Sequence, residues 1–475
     1  MRFMFREAGA LKYFTGLPLL ALLFFCCAGA VFGNDTPLVY RLGADEAVDL
    51  AVRDNLGLEN ARIALETRRR GNNMAWNRFL PTITASGTFN RSNEGTPSLG
   101  MVMGPSGPTM GMVPSDPTWV FVGNISASIN LSFAMIAEIQ GTRFDYQAGL
   151  IAYDKARLQM ERDIRKMYNQ ILLLEENAAL LRETFTNTMR QAAIAEANFN
   201  AGLVPRLSML QAQVAVENLR PTINELESNL SMLYSNFAMQ LGLPMNTVFE
   251  LEPIAKGDFT IPFDLSDLIS RASREKPDIV ELQMTIASLQ NTRRATAHRL
   301  YTPNLNLSWN YQPMISDVSQ DWFEPDNWTD RGGFSITLGM SLNTLFPFTN
   351  EGQALKNLDD SIRSLSINLA QAILGTELEI YSKINSLENT RSLMEVQTRA
   401  VELAQLTYNL TEEAYRAGLQ DFQSVRSAAL ALEQARLQYV SQQFSFINDL
   451  IDLEYAIGVP FGTLSALGTG AAGTN

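Results

Sequence analysis

The stretch NISASINLSF, residues 124–133, alternates strictly between small polar and apolar side chains. Successive side chains on a β-strand point to opposite faces, so this strand has one apolar face and one uncharged polar face. About ten residues is also the length that a tilted strand needs to cross a bilayer. An edge strand of a soluble β-sandwich has the same alternation, so this stretch alone leaves both interpretations open.

Three further stretches repeat the pattern: residues 82–90 after Pro81, residues 304–312 after Pro303, and residues 334–343. None of the four carries a charge on its polar face, a property that four soluble edge strands would rarely share. The sequence therefore predicts four transmembrane strands whose polar faces line water. The predicted lumen-facing residues are Asn124, Ser126, Ser128, Asn130, Asn306, Ser308, Ser335 and Thr337.

The 475-residue chain carries a net charge of −13 and has no basic tract, which argues against nucleic acid as a partner. At the N-terminus, three basic residues precede the apolar run 17–25, which predicts a secretory signal peptide over residues 1–33. Cys26 and Cys27 both lie inside it, so the mature chain has no thiol. Lipidation of either cysteine stays open.

A long helical pattern follows each pair of strands. Mostly apolar residues recur at alternating spacings of three and four from Ile171 to Phe199 and again from Leu393 to Ala417. This spacing is typical of a coiled-coil seam. Roughly 60 residues rising about 1.5 Å each would span about 90 Å, far more than an ordinary globular helix.

The whole order of elements occurs twice. The predicted segments are a first repeat 34–241, with a helix, a β-hairpin 82–133 and a helical hairpin 138–241; a linker 242–263; a second repeat 264–460, with a helix, a β-hairpin 304–346 and a helical hairpin 350–457; and a flexible tail 461–475.

Four strands cannot span a membrane alone, because lipid forbids open sheet edges. Two copies would give eight strands whose interior side chains fill, whereas three would give twelve strands and an open lumen. The helices have charged outer faces and narrow seams, so we expect them to stack in an aqueous compartment. The predicted fold is a mixed membrane α/β protein with four transmembrane strands, sharing a twelve-stranded barrel in a trimer, and long antiparallel coiled-coil helices.

The duplicated units of helix, Leu80-Pro81 or Thr302-Pro303, and strand resemble the TolC-like outer membrane efflux protein family. So do the paired Gly-Leu turns at 202–203 and 418–419. The resemblance covers residues 45–460 and implies a homotrimer in the outer membrane of a Gram-negative bacterium, with an α-helical barrel in the periplasm. It also implies a passive exit duct that docks to a periplasmic adaptor and an inner-membrane pump. The implied docking residues at the helical tips are Gly202, Leu203, Val204, Pro205, Arg206, Gly418, Leu419 and Gln420.

In that family, carboxylates near the tips narrow the tunnel and link helix pairs. Transferred by position, the constriction carboxylates fall on Ser424 and Ser427, and a linking carboxylate falls on Ser208. Its aromatic partner falls on Tyr415 and is retained. Asp421 is the nearest acidic residue and could form a ring by three-fold symmetry, so we expect weaker plugging by cations than in the family pattern.

The sequence offers little for catalysis: His298 is the only histidine, and the mature chain lacks cysteine. We expect no enzyme, no cofactor and no metal site. The alternative to this absence is a metal site at Met101, Met103, Met110 and Met112, whose thioethers suit Cu(I); the other interpretation of these residues is an adaptable apolar loop at the outer mouth.

A structural or adhesive surface protein remains the alternative to an export duct, and the substrate and pump class stay open.

Overall fold

The computed structural model describes residues 39–91, 93, 98–104, 107–113, 119–253, 265–340, 342, 346 and 349–464. The predicted signal peptide and most of the predicted tail lie outside these residues. The strands are β1 (Val39–Leu42), β2 (Thr82–Arg91), β3 (Ser98–Gly104), β4 (Gly107–Val113), β5 (Trp119–Ser132), β6 (Val248–Leu251), β7 (Asn304–Tyr311), β8 (Pro313–Ile315), β9 (Trp328–Asp330) and β10 (Gly333–Gly339). The α-helices are α1 (Ala44–Asp54), α2 (Leu56–Asn73), α3 (Ala134–Asn200), α4 (Arg206–Gln240), α5 (Leu265–Glu275), α6 (Pro277–Tyr301), α7 (Asn350–Arg416) and α8 (Phe422–Ile457).

The two halves of the helical region correspond residue by residue, with a constant difference in numbering. Helices α3 and α7 each contain 67 residues, and their starts differ by 350 − 134 = 216. Helices α4 and α8 start at positions that also differ by 216, since 422 − 206 = 216. Each residue of α3 or α4 therefore has a counterpart on α7 or α8 that is 216 positions later. At 1.5 Å per residue, α3 and α7 are each about 100 Å long.

The long helices lie side by side in a single layer. In the part of the layer next to the sheet, the order of helices is α2, α3, α6 and α7. In the part that ends at the two turns around Gly202 and Gly418, the order is α4, α3, α8 and α7. One apolar core, around Ile171 and Phe237, joins α1, α3 and α4 to β1 and β6. A second, around Ile380 and Leu453, joins α5, α7 and α8. Helix α3 is thus packed on both sides, whereas α7 forms one edge of the layer.

The coiled-coil seam predicted on α3 is buried or half-buried, as at Ile171 and Ala178. The seam predicted on α7 behaves differently. Its larger side chains are 38% to 66% exposed, namely Leu393, Val396, Leu403 and Leu410. The buried residues of this helix include Leu387 and Met394, which belong to the apolar core that α7 shares with α8. The heptad pattern on α7 therefore lies on the side of the helix that no other helix of the protomer covers, called its open side below.

The four predicted strands form one antiparallel sheet in the order β10, β7, β5 and β2. Two additions were not anticipated. The loop after β2 contains the hairpin β3–β4, and the second loop contributes β8 and β9 to the sheet. Strand β10 ends at Gly339, so it is shorter than the predicted alternation up to residue 343.

The predicted linker contains β6, which pairs in parallel with β1 near the N-terminus. The Tyr168 hydroxyl lies 3.1 Å from the Leu42 carbonyl and 2.6 Å from that of Glu252, which ties this pair to α3. Residues 461–464, at the start of the predicted flexible tail, are held by Glu454: the backbone N–H groups of Gly462 and Leu464 donate to its carboxylate. Across the described part of the chain, no helix has both the length and the apolar character needed to cross a bilayer.

Candidate functional site: the lumen wall and the helical tips

The sheet register places all eight predicted lumen residues on one face. Ser128 lies opposite Ser308, and Ser308 lies opposite Ser335. In the next row, Asn306 lies opposite Asn130 on one side and opposite Thr337 on the other. Two hydroxyl pairs bridge neighbouring strands on this face, Thr84 with Ser126 at 2.7 Å and Ser308 with Ser335 at 2.8 Å. The result is a continuous, uncharged wall of hydroxyl and amide groups.

The opposite face of the sheet is apolar and open to its surroundings. Ile83, Phe334, Ile336 and Leu338 are 63% to 71% exposed. An outward apolar band of this kind is characteristic of transmembrane β-strands.

An aromatic cluster lies on this apolar face at the end of the strands farthest from the helices. The ring of Trp322 is 5.3 Å from that of Phe121 and 5.6 Å from that of Trp328. Each indole N–H is satisfied by a backbone carbonyl: that of Trp322 donates to Val318 at 3.0 Å, and that of Trp328 to Trp322 at 2.9 Å. Such a cluster matches the aromatic girdle expected at a membrane interface.

The two helical tips are nearly identical turns. Gly202 and Gly418 have φ values of 72° and 75°, a left-handed conformation that favours glycine. The N–H of Leu203 donates to the Asn198 carbonyl, and that of Leu419 to the Ala414 carbonyl, both at 2.8 Å. Leu203 and Leu419 are 75% and 79% exposed. The predicted docking residues Pro205, Arg206 and Gln420 are exposed beside them, and Val204 is half-buried.

Tyr415 links the two helical hairpins just above the tips. Its side chain hydrogen-bonds Asn198 of α3, and its ring lies 6.4 Å from that of Phe422. Phe422 is buried against Ala195 and Ala212 of the first hairpin. Burial raises the pKa of Tyr415, and the Asn198 hydrogen bond opposes this shift.

The family resemblance places the linking partner of Tyr415 at position 208, where this chain has Ser208 instead of a carboxylate. The Ser208 backbone N–H donates to the Pro205 carbonyl at 3.0 Å and closes the first turn of α4. Asn198 and Phe422, which do contact Tyr415, were not anticipated from the sequence. Their counterparts are Ala414 and Arg206, so the repeat offered no signal for either.

Asp421 is the N-cap of α8. Its carboxylate accepts hydrogen bonds from the Ser424 backbone N–H at 2.8 Å and from the Ser424 hydroxyl at 2.7 Å. These bonds hold the pKa of the exposed Asp421 carboxyl below its ordinary value. The Ser427 hydroxyl donates to the Ser424 carbonyl at 3.0 Å. Asp421, Ser424 and Ser427 thus form one hydrogen-bonded group on the first turn of α8.

A polar seam between α3 and α8 was not anticipated. Asp452 of α8 accepts hydrogen bonds from Lys166 of α3 and Lys383 of α7, both at 2.9 Å. Burial would raise the pKa of Asp452, but the two lysines outweigh burial and hold the pKa below its ordinary value. The carboxylate therefore joins three helices while it is ionised.

Between α3 and α8 but nearer the helical tips than Asp452, Glu433 borders a cavity of about 60 Å³ that Thr184, Gln191 and Tyr408 also line. Burial raises the pKa of Glu433, and a hydrogen bond with Thr184 opposes the shift. Within the described residues, Oε2 of Glu433 is buried without a hydrogen-bond partner.

The described residues contain no group of three or more His, Cys, Asp or Glu side chains arranged to hold a metal ion. His298 is exposed in the last turn of α6.

Comparison with known proteins agrees with these features. The sequence model of the family described as outer membrane efflux protein matches residues 47–232 and 268–459. A pyoverdine export outer membrane protein of Pseudomonas putida, OpmQ, is 23% identical over 349 residues, which are 71% of this chain and 70% of that protein.

Two solved structures have the same fold. CusC, studied for its transmembrane channel formation, has a TM-score of 0.70 at 17% identity over 88% of this chain and 92% of its own. The CmeC outer membrane channel of Campylobacter jejuni has a TM-score of 0.69 at 16% identity over 90% of this chain and 88% of its own. The chain therefore belongs to the outer membrane efflux protein family, as an exit duct of the outer membrane with a large periplasmic helical portion.

Proposed function

We propose that three copies of this chain close into one passive duct, which receives substrate from a periplasmic adaptor and an inner-membrane pump and carries out no catalysis itself. The observation that carries the proposal is the set of contacts that the duplication leaves unfilled at the two opposite edges of the protomer. These contacts recur at the level of the strands and of the helices.

At the level of the strands, β5 pairs with β2 on one side and with β7 on the other. Strands β2 and β7 open the hairpins of the two repeats, and β5 and β10 close them. The contact between β5 and β7 therefore predicts an equivalent contact between β10 and the β2 of another copy. Within the described chain, β10 pairs only with β7, and β2 only with β5, so both edges are open.

At the level of the helices, α3 packs against α6 and α8 of the second repeat. The counterparts of these helices in the first repeat are α2 and α4. The duplication thus predicts that α7 packs against α2 and α4 of a neighbouring copy. The exposed apolar residues on the open side of α7, among them Val396, Leu403 and Leu410, supply a surface for that contact.

Three copies fit the lumen better than two. Eight strands would leave an interior just wide enough to be filled by side chains, whereas twelve leave an aqueous channel. The uncharged wall of Ser, Thr and Asn side chains suits water and offers no charge to select a substrate. We therefore assign substrate selection to the pump and docking to the exposed tip residues around Leu203 and Leu419.

The proposal is tested by measuring stoichiometry and conductance together. The purified chain should form a trimer by light scattering and give steady conductance in planar bilayers. A monomer or dimer would contradict the proposed assembly. A trimer that stays silent even when the link between Tyr415 and Asn198 is removed would favour the structural or adhesive alternative.

At the tips, serines 424 and 427 stand at the positions where the family has carboxylates. We propose that Asp421, one from each of three copies, forms the ring of carboxylates there. Because its pKa is lowered, Asp421 is ionised at neutral pH. One acidic residue per protomer should give only weak block by divalent cations, and Asp421→Asn should abolish it. Steep block at millimolar cation that persists in Asp421→Asn would contradict this assignment.

A further inference from the structure

The hairpin β3–β4 lies in the connection between β2 and β5, and its register gathers methionine side chains on one face. Met101 lies directly opposite Met110, Leu99 opposite Met112, and Met103 opposite Pro108. Because side chains alternate along each strand, all four methionines of this hairpin point to the same side. The other face carries mainly glycine, with the pair Val102 and Thr109.

The spacing allows several thioethers to meet. Cβ atoms of directly opposed residues are about 4.5–5.5 Å apart, and diagonal neighbours about 7–8 Å. A methionine side chain has three rotatable bonds, so the sulfurs of Met101 and Met110 can converge on one point. Met103 and Met112 flank this pair diagonally and can reach the same point.

These methionines do not pack into a core of the described protomer. Met101, Met103, Met110 and Met112 are 79%, 83%, 75% and 66% exposed. Strands that pack an apolar face usually do so with β-branched or aromatic residues. Four methionines among the six positions on this face therefore point to a use of the sulfur atoms rather than of apolar area alone.

The chemistry of the hairpin selects one class of ion. Residues 98–113 contain no His, Cys, Asp, Glu, Lys or Arg. Thioethers are soft ligands, and a site without negative charge cannot compensate a divalent cation. Cu(I) and Ag(I) are soft and carry a single positive charge, so they match a neutral sulfur-only site.

We propose that the methionine face of β3–β4 binds one soft monovalent metal ion, Cu(I) or Ag(I), with Met101 and Met110 as the central ligands and Met103 or Met112 completing the coordination. The site is formed within one chain, so it is independent of the assembly proposed above. It lies at the end of the sheet away from the helices.

The experiment is equilibrium dialysis of the purified full-length chain in detergent against Ag(I), in a chloride-free buffer, with bound silver measured by mass spectrometry. Met101→Leu/Met110→Leu should bind one Ag(I) fewer per chain than the wild type. Leucine keeps the apolar area of the hairpin, so a role in lipid or protein docking alone would leave silver uptake unchanged.

The matched control is Met232→Leu/Met239→Leu, which removes two exposed methionines of α4 and should leave uptake at the wild-type level. X-ray absorption of the silver-loaded wild type should show sulfur neighbours only. Equal uptake by the wild type and Met101→Leu/Met110→Leu, or a nitrogen and oxygen shell around the silver, would overturn the proposal.

Discussion

Helices α3 and α7 occupy equivalent positions in the two repeats, yet one pair of corresponding faces differs in chemistry. On α3 this face packs against α8, whereas on α7 it is open. The α3 residues along the α8 seam include Leu180, Thr184, Asn187 and Gln191; their counterparts on α7 are Val396, Ala400, Leu403 and Thr407. The first face is mostly polar and packed inside the chain, and the second is mostly apolar and exposed. Permanent interfaces between subunits are more apolar than surfaces that open and close. In the trimer proposed above, the apolar face of α7 would be the permanent interface between copies, and the polar face of α3 would be the contact that opens.

The largest effect is expected from giving α7 the residues of α3. Leu393→Asn/Leu403→Asn copies Asn177 and Asn187 onto the open side of α7. Burying each leucine in a subunit interface contributes about 1.5–3 kcal/mol, and burying an unpaired amide costs about 1–3 kcal/mol. The variant should remain folded but lose the trimer in light scattering.

The control for this variant is Leu430→Asn, which changes an exposed leucine of α8. Because α8 lies between α3 and α7, that position is not at an edge of the layer. A trimer that survives Leu393→Asn/Leu403→Asn, or that is lost equally in Leu430→Asn, would refute the assignment of the apolar face to assembly.

The next effect concerns the carboxylate that joins α8 to its neighbours. Asp452→Asn gives α8 the residue found at its counterpart Asn236 and leaves Lys166 without its hydrogen-bonded carboxylate. Removing one partner of a half-buried charge pair should cost about 1–2 kcal/mol and lower the melting temperature by a few degrees at pH 7.

The pH dependence of this effect has a defined sign. The pKa of Asp452 is lowered in the folded chain, so its contribution is present above the ordinary aspartate pKa and lost as pH falls through the lowered value. The difference between Asp452→Asn and wild type should therefore be constant from pH 6 to 8 and shrink in strong acid. Asn236→Asp, on the open edge of α4, should change little; equal destabilisation by both would contradict the argument.

A smaller effect is expected at the tip link. Tyr415→Phe gives α7 the residue of its counterpart Phe199 and removes the hydrogen bond to Asn198. We propose that this link holds the tips of the duct closed. One such bond contributes about 1 kcal/mol, so its loss should raise the ratio of open to closed tips about fivefold per link, measured as mean conductance in planar bilayers. Asn198→Ala should act similarly, and the double variant no more strongly than either single one. Additive effects would show that the two side chains act separately.

The contrast also shows which features a sequence can predict. Strand alternation is local, so residues such as Ser126 and Ser308 were predicted to share one face of the sheet, and the register places them on one face. The heptads on α7 were equally clear, but periodicity identifies an apolar stripe without saying whether its partner belongs to the same chain. The polar seam at Asp452 has no apolar stripe to reveal it. The contact between Tyr415 and Asn198 joins residues far apart in sequence, and only the arrangement of helices in space brings them together.

The smallest effect tests whether the polar seam carries an energetic cost at neutral pH. Glu433 has a raised pKa, so the stability tied to its protonated form is present below the ordinary glutamate pKa and lost as pH rises through the folded value. Glu433→Gln removes the charge and should raise the melting temperature slightly at pH 7.5, by the equivalent of about 1 kcal/mol, with the gain vanishing near pH 4. The counterpart Glu217 pairs with Arg220 at 3.2 Å on an exposed surface, where such a pair contributes little. Glu217→Gln should therefore be neutral at both pH values. If only Glu433→Gln stabilises the chain, then the charge of Glu433 destabilises the packing of α8 against α3 at neutral pH. The apolar face of α7 has no buried charge of this kind.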